Sequence, residues 1–385
     1  MKTIYAVSTI IALLFCTGYG WAKPSCPGHP SCKPDDGGGD PPVSSSPSIV
    51  YTVGSNGSKR DLYLMNADGS SPLLFKQGRA SKGKQSSIRY QHGEWSPDGT
   101  EIAFIDTGYL DAIWVGPADN PSEAVPIFDS EGLSPGADLA WHPTEDWIAL
   151  QIWSQRLDTN GNNVGDSDIW VTSSSGGVPV NLTSSLLPAP DSEIDWGLED
   201  RPTWSPDGTQ LLIRDWVLLP GFPDRVRLLI CDFNGSSQPP SLACPSTSWR
   251  EQIFIEEPAW HPDADLIAYP ESVVEGGNYT RRDIFIESTD SPTSTCLHIK
   301  ADGSMINKPG CTVRRVGDYL LRNEVAWTCD GQSLLVNAQS SLTDDRAIYI
   351  IKNVLTATQL SLEPLRLTAG KQSSLSEQAA QRTCP

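Results

Sequence analysis

Three sets of residues in this chain of 385 have types and spacings suited to chemistry. The first is Asp158, Asn160, Asn162, Val164, Asp166 and Asp168, a run with oxygen side chains at alternate positions and a backbone carbonyl at Val164. Such a run suits a hard cation, Ca2+ above all. Set against the twelve-residue calcium loop, it has Asn163 where a glycine makes the sharp turn and Ile169 where the last carboxylate stands, so Asp168 would substitute from the preceding position. The competing reading is a solvated Asn/Asp/Gly turn ahead of a strand. The second set is His92, Asp138, Arg201, Glu257 and Glu324, each three residues before a tryptophan. If their segments converge, five polar side chains of mixed sign meet at one opening, suited to a basic peptide end, a cation or a sugar. A plain solvated opening is the alternative. The third set is the carboxylate pairs Glu256-Glu257 and Glu199-Asp200, which acid–base work would require with raised pKa values that spacing alone does not supply.

What must position these residues is a repeat. Trp95-Ser96-Pro97-Asp98-Gly99-Thr100 precedes Ile102-Ala103-Phe104, and Trp204-Ser205-Pro206-Asp207-Gly208-Thr209 precedes Leu211-Leu212-Ile213. Weaker copies start at Trp141, Trp260 and Trp327, so the tryptophans recur at intervals of 46 to 67 residues. That is the period of a propeller blade with loops of unequal length. Asp-Gly between apolar runs predicts a hairpin, because glycine accepts the positive φ such a turn needs. Each unit continues into a further strand, as in Asp61-Leu62-Tyr63-Leu64, Asp168-Ile169-Trp170-Val171 and Asp283-Ile284-Phe285-Ile286, and six such strands are counted. A single blade cannot bury its apolar faces, so the array must close on itself. The expected fold is all-β: a six-bladed β-propeller of four-stranded antiparallel blades. Its first blade lacks an innermost strand, and the C-terminal tail, through Arg382-Thr383-Cys384, is expected to supply it and close the ring.

These repeats resemble the WD-repeat-like β-propeller of TolB-type proteins over about residues 45 to 385. The resemblance implies a six-bladed propeller and, from TolB itself, a periplasmic protein that binds envelope lipoproteins. The α/β domain that precedes the TolB propeller has no counterpart in the short tether found here. Oligogalacturonate lyases are similar in their repeats and use a histidine cluster for Mn2+. Here the five histidines are dispersed over His29, His92, His142, His261 and His298, and only His92 falls near the expected channel mouth. Neither a Gly-x-Ser-x-Gly elbow nor a Cys-x-x-Cys pair occurs. No catalytic residue and no required cofactor are expected, Ca2+ being the one candidate ion, and the chain reads as a non-enzyme.

In a four-stranded blade with the innermost strand named a, the a–b and c–d turns emerge on one face and the b–c and d–a connections on the other. The longer insertions, over 76–94, 154–167, 184–202 and 215–224, fall on the second face, which is where the sequence places function.

The N-terminus reads as an export signal over 1–22, with Lys2, an apolar run from Ile4 to Cys16, and cleavage after Ala22. Residues 23–47 form a tether in which 16 of 25 positions are Pro, Gly or Ser, and 48–385 is the folded domain. Nine cysteines, less Cys16 in the signal, leave an even number in an exported chain, which favours disulfides. The sequence-local pairing is Cys26 with Cys32, Cys231 with Cys244, Cys296 with Cys311, and Cys329 with Cys384. With 28 Lys and Arg against 47 Asp and Glu, a formal charge of −19 argues against nucleic acid or an anionic membrane as partner. No apolar run reaches the ~20 residues of a membrane span. The first functional expectation is therefore a monomeric, periplasmic or secreted propeller that binds an envelope or secreted protein or peptide. The second is a carbohydrate-binding or polysaccharide-lyase-like propeller.

Overall fold

The computed structural model describes residues 47–55, 59–82, 87–107, 112–128, 134–157, 163–184, 195–218, 225–245, 250–252, 255–275, 278–289, 296–301, 309–317, 319–339, 346–357, 362, 364–368 and 373–374. The chain divides into 1–42 and 43–385, and the described residues all belong to the second unit. The expected signal and tether, with Cys26 and Cys32, lie outside them.

Apart from one 3-10 turn at Pro121–Glu123, the described elements are strands. The first group is β1 (Ile49–Ser55), β2 (Lys59–Met65) and β3 (Leu73–Lys76). The second is β4 (Arg89–Trp95), β5 (Glu101–Thr107), β6 (Ala112–Pro117) and β7 (Val125–Phe128), and the third is β8 (Ser134–Trp141), β9 (Ile148–Leu157), β10 (Asn163–Thr172) and β11 (Val180–Asn181). A fourth comprises β12 (Asp195–Trp204), β13 (Gln210–Leu218), β14 (Arg225–Asn234), β15 (Ser241–Ala243) and β16 (Arg250–Gln252). A fifth comprises β17 (Ala259–Trp260), β18 (Leu266–Glu275), β19 (Asn278–Ser288), β20 (Cys296–Lys300) and β21 (Thr312–Arg315). The last is β22 (Leu320–Trp327), β23 (Leu334–Gln339), β24 (Ala347–Ile351) and β25 (Leu365–Arg366), followed by β26 (Ser373–Ser374).

Hydrogen bonding joins these strands into four sheets, of eight, nine, five and four strands, where six separate blades were expected. The difference arises at two places. One parallel pair, Arg60 with Arg89, links the first group to the second, and another, Ser167 with Leu198, links the third to the fourth. Within the groups the pairing is antiparallel except that β21 runs parallel to β20, and β16 adds antiparallel to the edge of β14. β1 pairs with β2 on one edge, and on the other edge Val53 and Thr52 pair with Ser373 and Ser374. Arg382, Thr383 and Cys384, expected to fill that place, lie outside the described residues.

Alternation along the strands sets the core. Because successive side chains point to opposite faces, Ile102 and Phe104 of β5 join Trp95, Val50 and Leu62 in one apolar cluster. Ala103 and Ile105, the intervening residues, join Leu139, Trp141 and Ile148 in the next. The same division recurs in β13, where Leu211 and Ile213 pack with Ile169 and Val171 while Leu212 packs with Trp260 and Tyr269. A further cluster joins β18 and β19 to β22 and β23. Another unites Ile49, Tyr51 and Met65, from the first group, with Leu335, Ile348 and Ile350, from the last. Each fully buried Leu, Ile or Phe contributes about 1.5–3 kcal/mol, so stability lies in these seams between groups. A one-residue slip of any strand would exchange the two faces and lose both seams.

The Asp-Gly turns form as their sequence requires. Gly99, Gly208 and Gly331 have φ of 67°, 73° and 64°. In the first turn Ser96 Oγ accepts the Glu101 amide at 2.9 Å and donates to Asp98 Oδ1 at 2.7 Å, while Asp98 also accepts the Thr100 amide at 3.0 Å. Ser205 Oγ, accepting the Gln210 amide and donating to Asp207, and Asp207, accepting the Thr209 amide, repeat the pattern.

Cys231 and Cys244 are joined, as are Cys296 and Cys311. Cys329 is also disulfide-bonded, and Cys384 lies outside the described residues.

Candidate functional site

The five residues three places before each tryptophan share one structural feature: the inner strands bulge there. Register slips between Gln91 and Gly93 in β4, Pro135 and Leu139 in β8, Asp200 and Thr203 in β12, and Leu321 and Val325 in β22. Ahead of β17, Ile255 bridges Glu271 whereas Ala259 pairs with Ala268, so the inner side has an extra residue there too. His92, Asp138, Arg201, Glu257 and Glu324 therefore all fall at bulges, which re-aim side chains. His92 and Arg201 take positive φ, 44° and 55°, a conformation uncommon for side chains of this size.

The bulges bring three of the five into direct contact. Arg201 Nη1 donates to Asp138 Oδ1, and its Nη2 donates to Glu257 Oε1 at 3.0 Å. Asp138 and Glu257 are each 1% exposed, so this guanidinium ties the inner strands on either side of its own. Glu324 Oε2 accepts from Asn337 Nδ2 at 2.8 Å. His92 is fully buried, with Nε2 4.0 Å from Glu94 Oε2. Behind this layer Arg214 grips Asp200 with two bonds, 2.6 and 2.7 Å, and donates to the Ile255 carbonyl at 3.2 Å. Three of the five residues read from sequence as lying near a polar channel mouth form an internal ion-paired clamp.

The cavity lies three residues further along each inner strand, toward the a–b turns. It has a volume of about 380 Å³, is open to the surface and is lined by tryptophans and the residues that flank them in five repeats. Trp95, Trp141, Trp204, Trp260 and Trp327 are each less than 9% exposed. They fill the seams and also present surface to the cavity. Trp204 Nε1 donates to the Ala140 carbonyl at 3.1 Å and Trp327 Nε1 to the Ala259 carbonyl at 3.2 Å, each crossing to the preceding inner strand. Prolines two places beyond the tryptophan complete the wall in four of the five copies, and Cys329 takes that place in the last. Facing inward at the residue just before the tryptophan are Glu94, Ala140, Thr203, Ala259 and Ala326. Four of those five side chains are small and uncharged, and one is a carboxyl. Burial pushes the Glu94 carboxyl up to about 8. Comparing the residue before each tryptophan across the copies would have exposed this outlier in the sequence.

Three of the long insertions assigned to the opposite face are, where described, largely extensions of the strands, whereas in 76–94 residues 77–82 and 87–88 lie outside the strands and Arg79 bridges Ile88. Residues 154–157 and 163–167 continue the β9–β10 hairpin, 195–202 belong to β12 and 215–218 to β13. Of the residues read as calcium ligands, Asp158, Asn160 and Asn162 lie outside the described residues. Val164, Asp166 and Asp168 lie along β10, opposite Arg156, Ser154 and Ile152. Alternate residues of an extended strand stand roughly 7 Å apart, unlike the wrapped backbone of a calcium loop. Asp168 Oδ1 accepts from Thr183 Oγ1 at 3.1 Å. Asp61 accepts the Gly78 amide at 2.7 Å and Asp283 the Ala301 amide at 3.2 Å, so this aspartate recurs as a fastener for the outer strand. His298, paired to Asp283 at 2.7 Å, is part of the same device in the fifth group. Glu287, Cys296 and Cys311 place three donor atoms within 4.8 Å of one another, but the two sulfurs are consumed in a disulfide and offer no thiolate.

No protein-family model matches the sequence, nor does any curated protein. Solved structures do match. A putative TolB from Agrobacterium tumefaciens is 12% identical, covering 84% of this chain and 89% of that one, with a TM-score of 0.48. Hydrazine synthase from Kuenenia stuttgartiensis is 12% identical with a TM-score of 0.52, where 88% of this chain covers 48% of that one. An oligogalacturonate lyase solved with manganese is 10% identical over 79% of this chain and 85% of that one, with a TM-score of 0.42. The expectation of a non-enzyme is thereby corrected, since enzymes are among the structures of this architecture that the chain matches. Among the described residues, no helix is long and apolar enough to cross a membrane. Antiparallel strand groups, apolar seams between them and the structural match to hydrazine synthase together give the chain the all-β propeller fold.

Proposed function

We propose that this chain is an exported ligand-binding propeller whose recognition site is the tryptophan-lined cavity and whose partner is an envelope or secreted protein, engaged through a peptide segment. The observation that carries this reading is the cavity itself. Five successive repeats contribute the same wall, its volume of about 380 Å³ lies in the range of ligand sites, and apolar walls with few polar groups are what such sites present. The ring is read as six blades, the two larger sheets each being two blades joined by a single parallel pair. Six apolar seams support that count, and the pairing of 373–374 with β1 supports closure by the C-terminal tail.

The test fills the cavity without removing a packing residue. Thr203→Trp should leave the fold intact, by circular dichroism, and abolish capture of the partner that the full chain recovers from extracellular and envelope extract. Equal capture by both chains would reject the cavity as the site.

A second reading is acid–base chemistry on an acidic polysaccharide, favoured by one observation: a carboxyl that stays protonated near neutral pH beside aromatic surface. It requires release of unsaturated oligosaccharides by the full chain and their loss in Glu94→Gln. Silence of the unmodified chain on uronic-acid polymers rejects it.

A further inference from the structure

Among the residues that line the cavity, three buried polar atoms make no hydrogen bond to the described residues. Glu94 Oε2 is buried and makes no hydrogen bond, its nearest cationic candidate being His92 Nε2 at 4.0 Å. The indole N–H groups of Trp95 and Trp260 are buried without an acceptor, in contrast to those of Trp204 and Trp327. A buried carboxyl oxygen without a partner is costly in this setting, and it sits where the other copies of the repeat have alanine or threonine. Its partner across the strand pair is Ala103. Aromatic walls attract a cation through the face of the indole ring, and a carboxylate supplies the counter-charge.

We propose that the cavity is a cage for an organic cation, an alkylammonium or guanidinium group held against Glu94 with its carbon stem along the Trp–Pro wall. This rests on the reading of the cavity as the ligand site and specifies what enters it. Two sources share that chemistry, the Lys or Arg side chain of a peptide and a free amine. The acidic balance of the chain, −19, favours the approach of either.

The proposal carries a proton inventory. Without a ligand, burial keeps the Glu94 carboxyl protonated up to about pH 8. A cation is bound by the ionised form, so binding releases the carboxyl proton to solvent at neutral pH. The other ionisable groups lining the cavity are His261 and Asp263. His261 is engaged through both ring nitrogens, to the Gly331 carbonyl and the Asp263 amide. His92 lies on the strand of Glu94 itself, and Asp138, Arg201, Glu257 and Glu324 occupy the bulges of the other inner strands.

The experiment is calorimetric titration of the full chain with butylammonium and butanol, and with acetyl-Gly-Lys-Gly-amide and its norleucine counterpart, between pH 6 and 9. The cations are expected to bind at least tenfold more tightly than their neutral isosteres. Their affinity should rise about tenfold per pH unit up to about 8 and then level, and heats in buffers of different ionisation enthalpy should report a released proton. In Glu94→Gln the preference and the pH slope should both vanish while the melting temperature holds or rises. A tighter lysine peptide identifies a peptide side chain as the source, and equal affinities identify a free amine. Equal binding of cation and isostere, or an unchanged slope in Glu94→Gln, overturns the cation cage and leaves the cavity reading standing, provided Thr203→Trp still blocks binding. Binding that survives Thr203→Trp overturns the cavity reading itself, and failure of every probe to bind the unmodified chain overturns the cage.

Discussion

The imidazole of His142 donates Nε2–H to the backbone carbonyl of Gly208, 2.9 Å away, and its Nδ1 accepts the amides of Thr144 and Glu145 at 3.2 and 2.9 Å. His261 repeats the arrangement with Gly331 at 3.0 Å and the Asp263 amide at 3.0 Å. Each ring also stands edge-on to the tryptophan of the turn it reaches, Trp204 at 4.6 Å and Trp327 at 4.7 Å. A carbonyl oxygen only accepts and an amide N–H only donates, so both rings are neutral with the proton on Nε2. The two histidines latch one a–b turn to the next.

Acid should open these latches. Burial lowers both imidazole pKa values, outweighing the opposing pull of the glycine carbonyls and of nearby acids such as Glu145 and Asp263. A folded pKa below the unfolded value of about 6.5 means that the unfolded chain takes up the proton first. The latch contribution is then complete above about pH 6.5 and declines as pH falls below it. Thermal melts should show a loss of stability that begins near pH 6.5. It should be absent from the double variant His142→Ser, His261→Ser, which installs the residue found at Ser96 and Ser205. Asp98 and Asp207, whose carboxyls are held low first by Ser96 and Ser205, lose their contribution only below about pH 4.

Gly208 and Gly331 should tolerate no side chain. A Cβ at Gly208 would lie 2.2 Å from His142 Cε1, and one at Gly331 would lie 2.3 Å from His261 Cε1. Gly310, with φ of 89° and open space around it, isolates the backbone term alone. Gly310→Ala should cost about 1–2 kcal/mol and Gly208→Ala clearly more in denaturant titrations. Combining Gly208→Ala with His142→Ser should recover part of the excess, which a double-mutant cycle measures.

Arg201→Met should be among the most damaging single changes outside the apolar seams. It would leave Asp138 and Glu257 buried together without their shared cation, a loss of about 3–5 kcal/mol. Arg201→Lys keeps the charge but reaches two carboxylates less well, and an intermediate loss in urea unfolding is expected. A neutral outcome for Arg201→Met would show that the clamp is not structural.

Cys296 and Cys311 close a span of 15 residues, and a loop of that size is worth about 3 kcal/mol in the chain-entropy account. Replacing both with serine should lower unfolding stability by roughly that amount. Ligand binding in the cavity should be unchanged, because neither residue lines it.

The strands, the Asp-Gly turns and the repeat that orders them were legible in the chain because each depends on local chemistry. Alternating apolar residues define a strand wherever they occur, and Gly99 or Gly208 accepts a positive φ whatever surrounds it. The position of the tryptophans at the ends of inner strands follows from the same phrase. Tertiary structure alone decided what the polar residues do. Asp138, Arg201 and Glu257 lie more than 50 residues apart, and whether such charges face water or one another depends on bulges whose register no local pattern records. Asp168 reads as a metal ligand in its Asn/Asp-rich run and becomes a strand fastener only because β11 brings Thr183 to it. Glu94 differs from Ala140, Thr203, Ala259 and Ala326 in plain view, yet its chemistry appears only when five inner strands enclose one space. Its neighbours, assembled from distant repeats, bury it, and that burial raises its carboxyl pKa.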